Sequence, residues 1–398
     1  MHIFTSVTAN YIPKARVLAQ SVKKHQPDAV FHLLLSDAVP DWLDMEHEDF
    51  DHLIHIEDLG IDNLQSWIFK HSLVELCTAV KGYGFQYILK HYQADKVIYL
   101  DPDIVVFSPL DSLDQALDEA SILLTPHQCV PESDYAAIID NEICSLKHGV
   151  FNLGFLAIAN DGDGNAFVDW WAARLGEFCY DDIAAGLFTD QRWVDLAPCF
   201  FERLKVLRAP IYNVCTWNLS NRQVAGSLET GITVNGQPLC FYHFSGFDSG
   251  AQEVMLNKYG SRNPALKQLR AWYLAACDAA GQQQYGTTPC CYNSFANGQP
   301  ITRQQRVLYR SRRDLIDYFP DPFCCDDPHK SYCAWYAVNA DEQAAGLDST
   351  VLDNVDTLRD ALISARSELN LIKNSRTWRV LRAIEKVSRP LRKMVKPQ

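Results

Sequence analysis

The sequence has no basic, apolar, small-residue leader at its start and no apolar run near the ~18 residues that a membrane-spanning helix needs. Both absences predict a cytoplasmic protein, at most peripheral on the inner face of the membrane. None of the 13 cysteines is spaced C-x-x-C, so no zinc or dithiol redox motif is written in the chain. Two pairs are instead adjacent, Cys290-Cys291 and Cys324-Cys325, and reduced, mostly buried thiols are predicted. Basic charge is scarce outside the C-terminus. The formal charge is -13, yet residues 371–398 hold nine basic residues against the single acid Glu385, a net +8 that leaves -21 for the rest. So acidic a body cannot match a phosphate backbone, and nucleic acid is excluded as its partner. No internal repeat or low-complexity segment is present.

What the chain does have is 398 residues, 47% of them hydrophobic, enough to bury a core in two or three folding units. His2–Val7 reads as a β-rich strand, followed by Ala15, Leu18, Ala19 and Val22 at the spacing of one helix face, and Val30–Leu35 as a second strand. Helical stretches over 64–80 and 86–91 then lead to the apolar strand Lys96–Leu100, with further strands expected at 121–125, 151–158, 204–207 and 239–243 and a helix at 167–175. This alternation predicts an α/β unit over 1–250 with a mostly parallel sheet. Residues 251–348 read as a helical, irregular accessory lobe. Over 349–372, Val351, Val355, Leu358, Leu362, Ala365, Leu369 and Ile372 keep heptad spacing, which fits either a homodimer seam or one buried helix face. Residues 373–398 form a basic amphipathic tail suited to an anionic membrane surface, or to docking on the acidic body.

Asp101-Pro102-Asp103 follows the strand Lys96–Leu100 directly. Side chains two apart on extended backbone face the same way, and open α/β sheets bind ligands at the carboxyl ends of their strands. Two such carboxylates suit Mg²⁺ or Mn²⁺, and a cation there can bridge a diphosphate. Two other D-x-D triplets carry less. Asp49-Phe50-Asp51 lies among His47, His52 and His55, which read as surface histidines, and Asp161-Gly162-Asp163 opens an EF-hand-like stretch lacking the later glycine and glutamate, which reads as a loop.

Tyr99-Leu100-Asp101-Pro102-Asp103 resembles the donor-site signature of GT-A-fold glycosyltransferases, and the match is closest to glycosyltransferase family 8, whose members are retaining galactosyl- and glucosyltransferases. Residues 3–11, with Asn10 and Tyr11, resemble the family's first nucleotide-binding strand and loop. Phe151-Asn152-Leu153-Gly154 resembles its F-N-x-G strand, which implies Asn152 near donor hydroxyls. Asp190-Gln191 resembles its D-Q pair, the acid on the donor sugar and the amide near the anomeric carbon. His243-Phe244-Ser245-Gly246 resembles the H-x-x-G element whose histidine completes the metal shell. The resemblance spans 1–250 and implies a Mn²⁺- or Mg²⁺-dependent hexosyltransferase taking a nucleotide sugar, UDP-linked by default, and a glycan or lipid-linked acceptor. Lys258 would assist at the phosphates. Thr8-Ala9 stands where acids commonly hold the uridine, and Gln86 where an arginine often meets the donor, so the nucleotide and sugar stay open.

From the residues alone other roles are available: Asn152 could satisfy a strand edge, Asp190 could cap a helix, and His243 could be a core histidine. The stretch 212–218 followed by Arg222 suits sugar stacking or an anchored loop. A haloacid-dehalogenase-like phosphatase would use Asp101 as nucleophile and Asp103 as acid, but its motif ends the first strand of its fold, whereas here about a hundred residues come first. A catalytically silent scaffold of the same fold is the third alternative.

Overall fold

A computed structural model describes residues 1–247, 250–327 and 331–343. The chain divides into two units, Met1–Ala337 and Val338–Gln398. The heptad stretch and the basic tail lie outside the described residues.

The fold is α/β, as the alternation predicts. A seven-stranded sheet contains β1 (His2–Val7), β2 (Val30–Leu35), β3 (His52–His55), β4 (Lys96–Leu100), β6 (Ile122–Pro126), β7 (Phe151–Ala159) and β10 (Leu204–Val206), in the order β10-β6-β7-β4-β1-β2-β3. Every pair is parallel except those that β7 makes with β4 and β6. All nine residues of β7 are buried, because helices cover both faces of the sheet. On one face lie α1 (Ile12–His25) and α4 (Asp111–Glu119), packed on Ile3, Leu33, Ile98 and Phe155. On the other, α2 (Leu64–Phe69), α3 (Leu73–His91) and α7 (Gly162–Phe178) pack on Phe4, Leu34, Tyr99 and Leu156. The helix expected over 64–80 is broken at 70–72, where Ser72 and Glu75 form a capping box that starts α3 anew. The stretch from Asp161, read as a loop, is instead the start of α7: Asp161 Oδ1 accepts the Gly164 N–H at 2.9 Å and caps the helix, which begins five residues earlier than expected.

A short strand β5 (Ile104–Val106) leaves the main sheet and pairs antiparallel with β14 (Phe241–His243). Two small ribbons, β8 (Asp181–Asp182) with β9 (Leu187–Phe188), and β11 (Val224–Ser227) with β12 (Gly231–Val234) and β13 (Gln237–Pro238), complete the strands among the described residues. Later helices pack back on this frame, with Tyr273 stacked on Phe244 at 4.0 Å and the Tyr309 hydroxyl donating to Ser66 at 2.9 Å. None of the 13 cysteines is in a disulfide; five are buried and three exposed, so burial is less general than expected. No described helix is long and apolar enough to cross a membrane.

His2, His32 and His52 stack in a row across β1, β2 and β3, with Tyr92 against them. His32 is fully buried, and its pKa is pushed down to about 3, first by burial and then by its two neighbouring imidazoles. The unfolded chain protonates this imidazole near 6.5 and the folded chain does not. Its contribution to stability is therefore whole above that pH and is lost as pH falls toward 3, at about 1.4 kcal/mol per pH unit. Burial pushes His71 and His127 down to about 4, in the same sense. In His32→Phe, the slope of unfolding free energy against pH between 6 and 4, read from urea titrations, should fall by about one such increment. An unchanged slope would show that His32 does not set it.

Candidate active site

β4 ends at Leu100, and the chain turns at once: the Asp101 N–H donates to the Gly154 carbonyl at 2.8 Å and the Ile104 N–H to the Asp101 carbonyl at 2.9 Å. That turn sends β5 toward β14 in the register that sets His243 opposite Ile104, and the Phe244 N–H donates to the Asp103 carbonyl at 2.8 Å. Asp101, Asp103 and His243 thereby meet, with one ligand atom from each lying within 4.8 Å of the others. His243 Nε2 is 3.0 Å from Asp103 Oδ1 and 3.7 Å from Asp101 Oδ2.

The imidazole is held from behind. Asn213 Nδ2 donates to Thr125 Oγ1 and to Asn152 Oδ1, both at 2.9 Å, which leaves Asn213 Oδ1 as an acceptor 3.1 Å from His243 Nδ1. His243 therefore carries a proton on Nδ1, and in its neutral form aims the Nε2 lone pair at the two carboxylates. Asn152 Oδ1 also accepts the Gly154 N–H at 3.2 Å, and Asn152 Nδ2 faces His127 Nε2 at 3.2 Å. Gly154 must lack a side chain, since a Cβ there would lie 2.4 Å from His243 Cε1. Burial opposes charge on both His243 and Asp103, yet each overrides it for the other: the imidazole is raised and the carboxyl lowered, with Lys14 adding to the latter. Two carboxylates and one oriented imidazole nitrogen fit a divalent cation of the Mn²⁺ or Mg²⁺ kind.

Replacing Asn213 by Leu removes the acceptor that fixes His243. Cation affinity, measured by titration of the full-length protein, should fall about 10- to 100-fold, the usual effect of losing a group that orients a metal-binding histidine. Unchanged affinity would separate Asn213 from the site.

Behind Asp101 lies a residue that sequence reasoning missed. The Lys81 ammonium, from α3, is 3.2 Å from Asp101 Oδ1 and 2.8 Å from Asp190 Oδ2, the latter contact an ion pair without the alignment of a hydrogen bond. It donates to the Leu153 carbonyl at 3.1 Å and lies 4.3 Å from the centre of the Tyr99 ring, whose hydroxyl donates to Asp101 at 2.6 Å. Burial would depress the Lys81 pKa, but Asp101 and Asp190 together raise it, so the ammonium stays charged. Burial raises the Asp190 carboxyl, and Lys81 pulls against that rise. Asp190 precedes α8 (Gln191–Val194) without capping it through its side chain. It is set there by Thr189, a β-branched residue at φ 42°, whose hydroxyl donates to Asp190 Oδ1 at 3.1 Å and whose N–H donates to the Tyr180 carbonyl at 3.0 Å.

The remaining expected residues divide. Gln191 is nearly buried beside Asp190, and its Nε2 donates to the His148 carbonyl at 2.9 Å. Thr8 donates to Asn10 Oδ1 at 2.7 Å just past β1, and Tyr11 lies under the Lys14 ammonium at 4.1 Å. Lys14 thus links the loop after β1 to the charge on Asp103. Gln86 instead donates to Asp169 of α7 at 2.7 Å, on the covering-helix side of the fold. Lys258 pairs with Asp140, which also accepts from the Tyr259 hydroxyl at 2.7 Å, so its charge is spent on the segment between α5 (Tyr135–Ala137) and α6 (Cys144–His148). Arg222 is buried, donating to the Tyr212 carbonyl at 2.6 Å, while Trp217 stands edge-on to His243 at 5.4 Å.

Residues 2–163 match the sequence model of glycosyl transferase family 8. Two uncharacterized proteins of Bacillus subtilis strain 168 are similar. YfnD is 27% identical over 253 residues, 62% of this chain and 78% of that protein. YfnF is 26% identical over 174 residues, 44% of this chain and 57% of that protein. Among solved structures, the galactosyltransferase LgtC in complex with donor and acceptor sugar analogs is similar at 18% identity and a TM-score of 0.42, over 73% of this chain and 98% of that one.

Proposed function

We propose that this chain is a family 8-like glycosyltransferase of the GT-A fold, which performs a divalent-cation-dependent transfer of a hexose from a nucleotide sugar, UDP-linked by default, with retention at the anomeric carbon. The observation that carries this reading is the meeting of Asp101, Asp103 and the oriented Nε2 of His243 at the ends of β4 and β14. A bound Mn²⁺ or Mg²⁺ would neutralise the negative charge that grows on the departing nucleoside diphosphate. Thr8, Asn10 and Tyr11 would hold the nucleotide at the end of β1, and Lys14, buried beside them, supplies a fixed positive charge there. Asp190 would position the sugar, its carboxylate held by Lys81. Gln191 would present its amide near the reacting carbon; an amide cannot form the ester that a covalent carboxylate mechanism needs, so front-face attack by the acceptor is the consistent route to retention. Asn152 supports recognition indirectly, since its carboxamide is engaged by Asn213, Gly154 and His127.

The acceptor would be a glycan or a lipid-linked sugar. The +8 tail supports attachment to an anionic bilayer, where such lipids reside, and the heptad stretch supports a homodimer. The test of the whole reading is a thermal-shift screen of nucleotide sugars with and without Mn²⁺, because a ligand that binds only the folded state raises its melting temperature. A selective shift needing both components is expected, and NMR of the product should give the donor's own anomeric configuration. Shifts that ignore the cation, or an inverted product, would refute the corresponding part.

Gln191→Ala should lower kcat by about 10²-fold while leaving the donor dissociation constant within about threefold, because an interaction made only at the transition state does not report on ground-state binding. Parallel loss of both would place Gln191 in donor binding instead.

A further inference from the structure

A second convergence of ligand atoms lies where the late helices meet the ends of β1 and β2. The Asp37 carboxylate and the Cys290 and Cys291 thiols each offer one atom, all within 4.8 Å of one another. Asp37 and Cys290 are buried and Cys291 is exposed, so the cluster opens to solvent on one side. Asp37 follows β2, and its Oδ2 accepts the Ala9 N–H at 3.1 Å while its Oδ1 accepts the Ala38 and Cys291 N–H groups, both at 2.9 Å. Those three bonds fix the carboxylate and still leave about one of its four lone-pair directions free. The cysteines enter a short 3-10 turn, Cys291–Asn293, closed by the Asn293 N–H on the Cys290 carbonyl at 3.1 Å. The donors therefore come from segments some 250 residues apart in sequence, each anchored by its own backbone bonds.

Two sulfurs and one oxygen are a soft donor set. It suits zinc-type cations and discriminates against Mg²⁺ and Mn²⁺, which the oxygen and nitrogen set at Asp101 favours. We propose that Asp37, Cys290 and Cys291 form a thiophilic divalent-metal site of the zinc class, which shares no ligand with the cluster of Asp101, Asp103 and His243. On binding, the two S–H groups give their protons to solvent and two metal–sulfur bonds form, with no change of oxidation state. The bound cation would clip residues 290–291 to Asp37, which itself holds the Ala9 amide beside Thr8 and Asn10.

The test uses the full-length, chelator-stripped protein titrated with Co²⁺ as a spectroscopic stand-in for zinc. A near-ultraviolet thiolate-to-cobalt band should saturate at one equivalent, bleach on addition of Zn²⁺, and persist in Asp101→Asn. It should be lost in Cys291→Ser, whose exposed side chain leaves folding intact, and need at least about tenfold more Co²⁺ in Asp37→Asn. Zn²⁺ should raise the melting temperature of the wild type and not of Cys291→Ser. Absence of the band, a band that survives Cys290→Ser/Cys291→Ser, or an intact mass lower by two hydrogens from a Cys290–Cys291 disulfide in the protein as isolated would each overturn the proposal.

Discussion

Asp103→Asn and His243→Ala should each reduce sugar transfer by on the order of 10²- to 10³-fold, the loss seen when one preorganised group that stabilises transition-state charge is removed. Asp103 stands 3.0 Å from His243 Nε2, so either change leaves the other ligand facing an incomplete set. Asparagine keeps the shape of aspartate and loses only its charge. Folding should survive, since Asp103 also holds Phe244 through its backbone carbonyl rather than its side chain. The check is steady-state turnover at saturating donor across a Mn²⁺ series, beside circular dichroism of each variant. Turnover within tenfold of wild type at every Mn²⁺ concentration would remove these residues from the site.

Lys81→Met should be the most destabilising single change near the site. The Lys81 side chain is 3% exposed and its ammonium faces two carboxylates, so methionine keeps the packing volume and leaves Asp101 and Asp190 opposed without a cation. Breaking a buried ion cluster by removing one partner costs about 3–5 kcal/mol. Asp190 already resists ionisation through burial, so in the variant it should take up a proton more readily still. The penalty in urea unfolding should accordingly shrink as pH is lowered from 8 toward 5. Lys81→Arg keeps the charge and should cost less. A loss below about 1 kcal/mol, or one that grows in acid, would contradict this account of the cluster.

The sheet and the acidic pair were legible because they rest on local pattern: an apolar strand, then carboxylates two residues apart. His243 and Gln191 became candidates only through resemblance, since nothing near residue 243 in sequence announces a partner 140 residues earlier. Lys81 was missed for a physical reason. A lysine in a helix ordinarily points to water, and only the packing of α3 against β4 and β7 turns this one inward. Gln86, where the resemblance places a donor-facing residue, lies five residues further along the same helix, about one and a half turns away, and donates to Asp169 instead. Asn213 stood in a stretch read as suiting sugar stacking or an anchored loop, but its hold on His243 Nδ1, and His127's place against Asn152, depend on side chains distant in sequence and were opaque. Gly154 was the legible clue, a glycine inside a fully buried strand, which marks a close approach by another group. Residues 161–165 misled in the opposite sense: two glycines disguised the first turn of α7, where the Asp161 cap decides the matter.

The central claim is that Asp101, Asp103 and His243 together hold the cation on which sugar transfer depends. Its most direct measurement is turnover of a nucleotide-sugar donor by the wild-type chain, first with EDTA present and then along a Mn²⁺ titration. The account predicts no turnover in EDTA and a saturable return with Mn²⁺, at a half-saturation that rises steeply in Asp101→Asn; undiminished turnover in EDTA would contradict it.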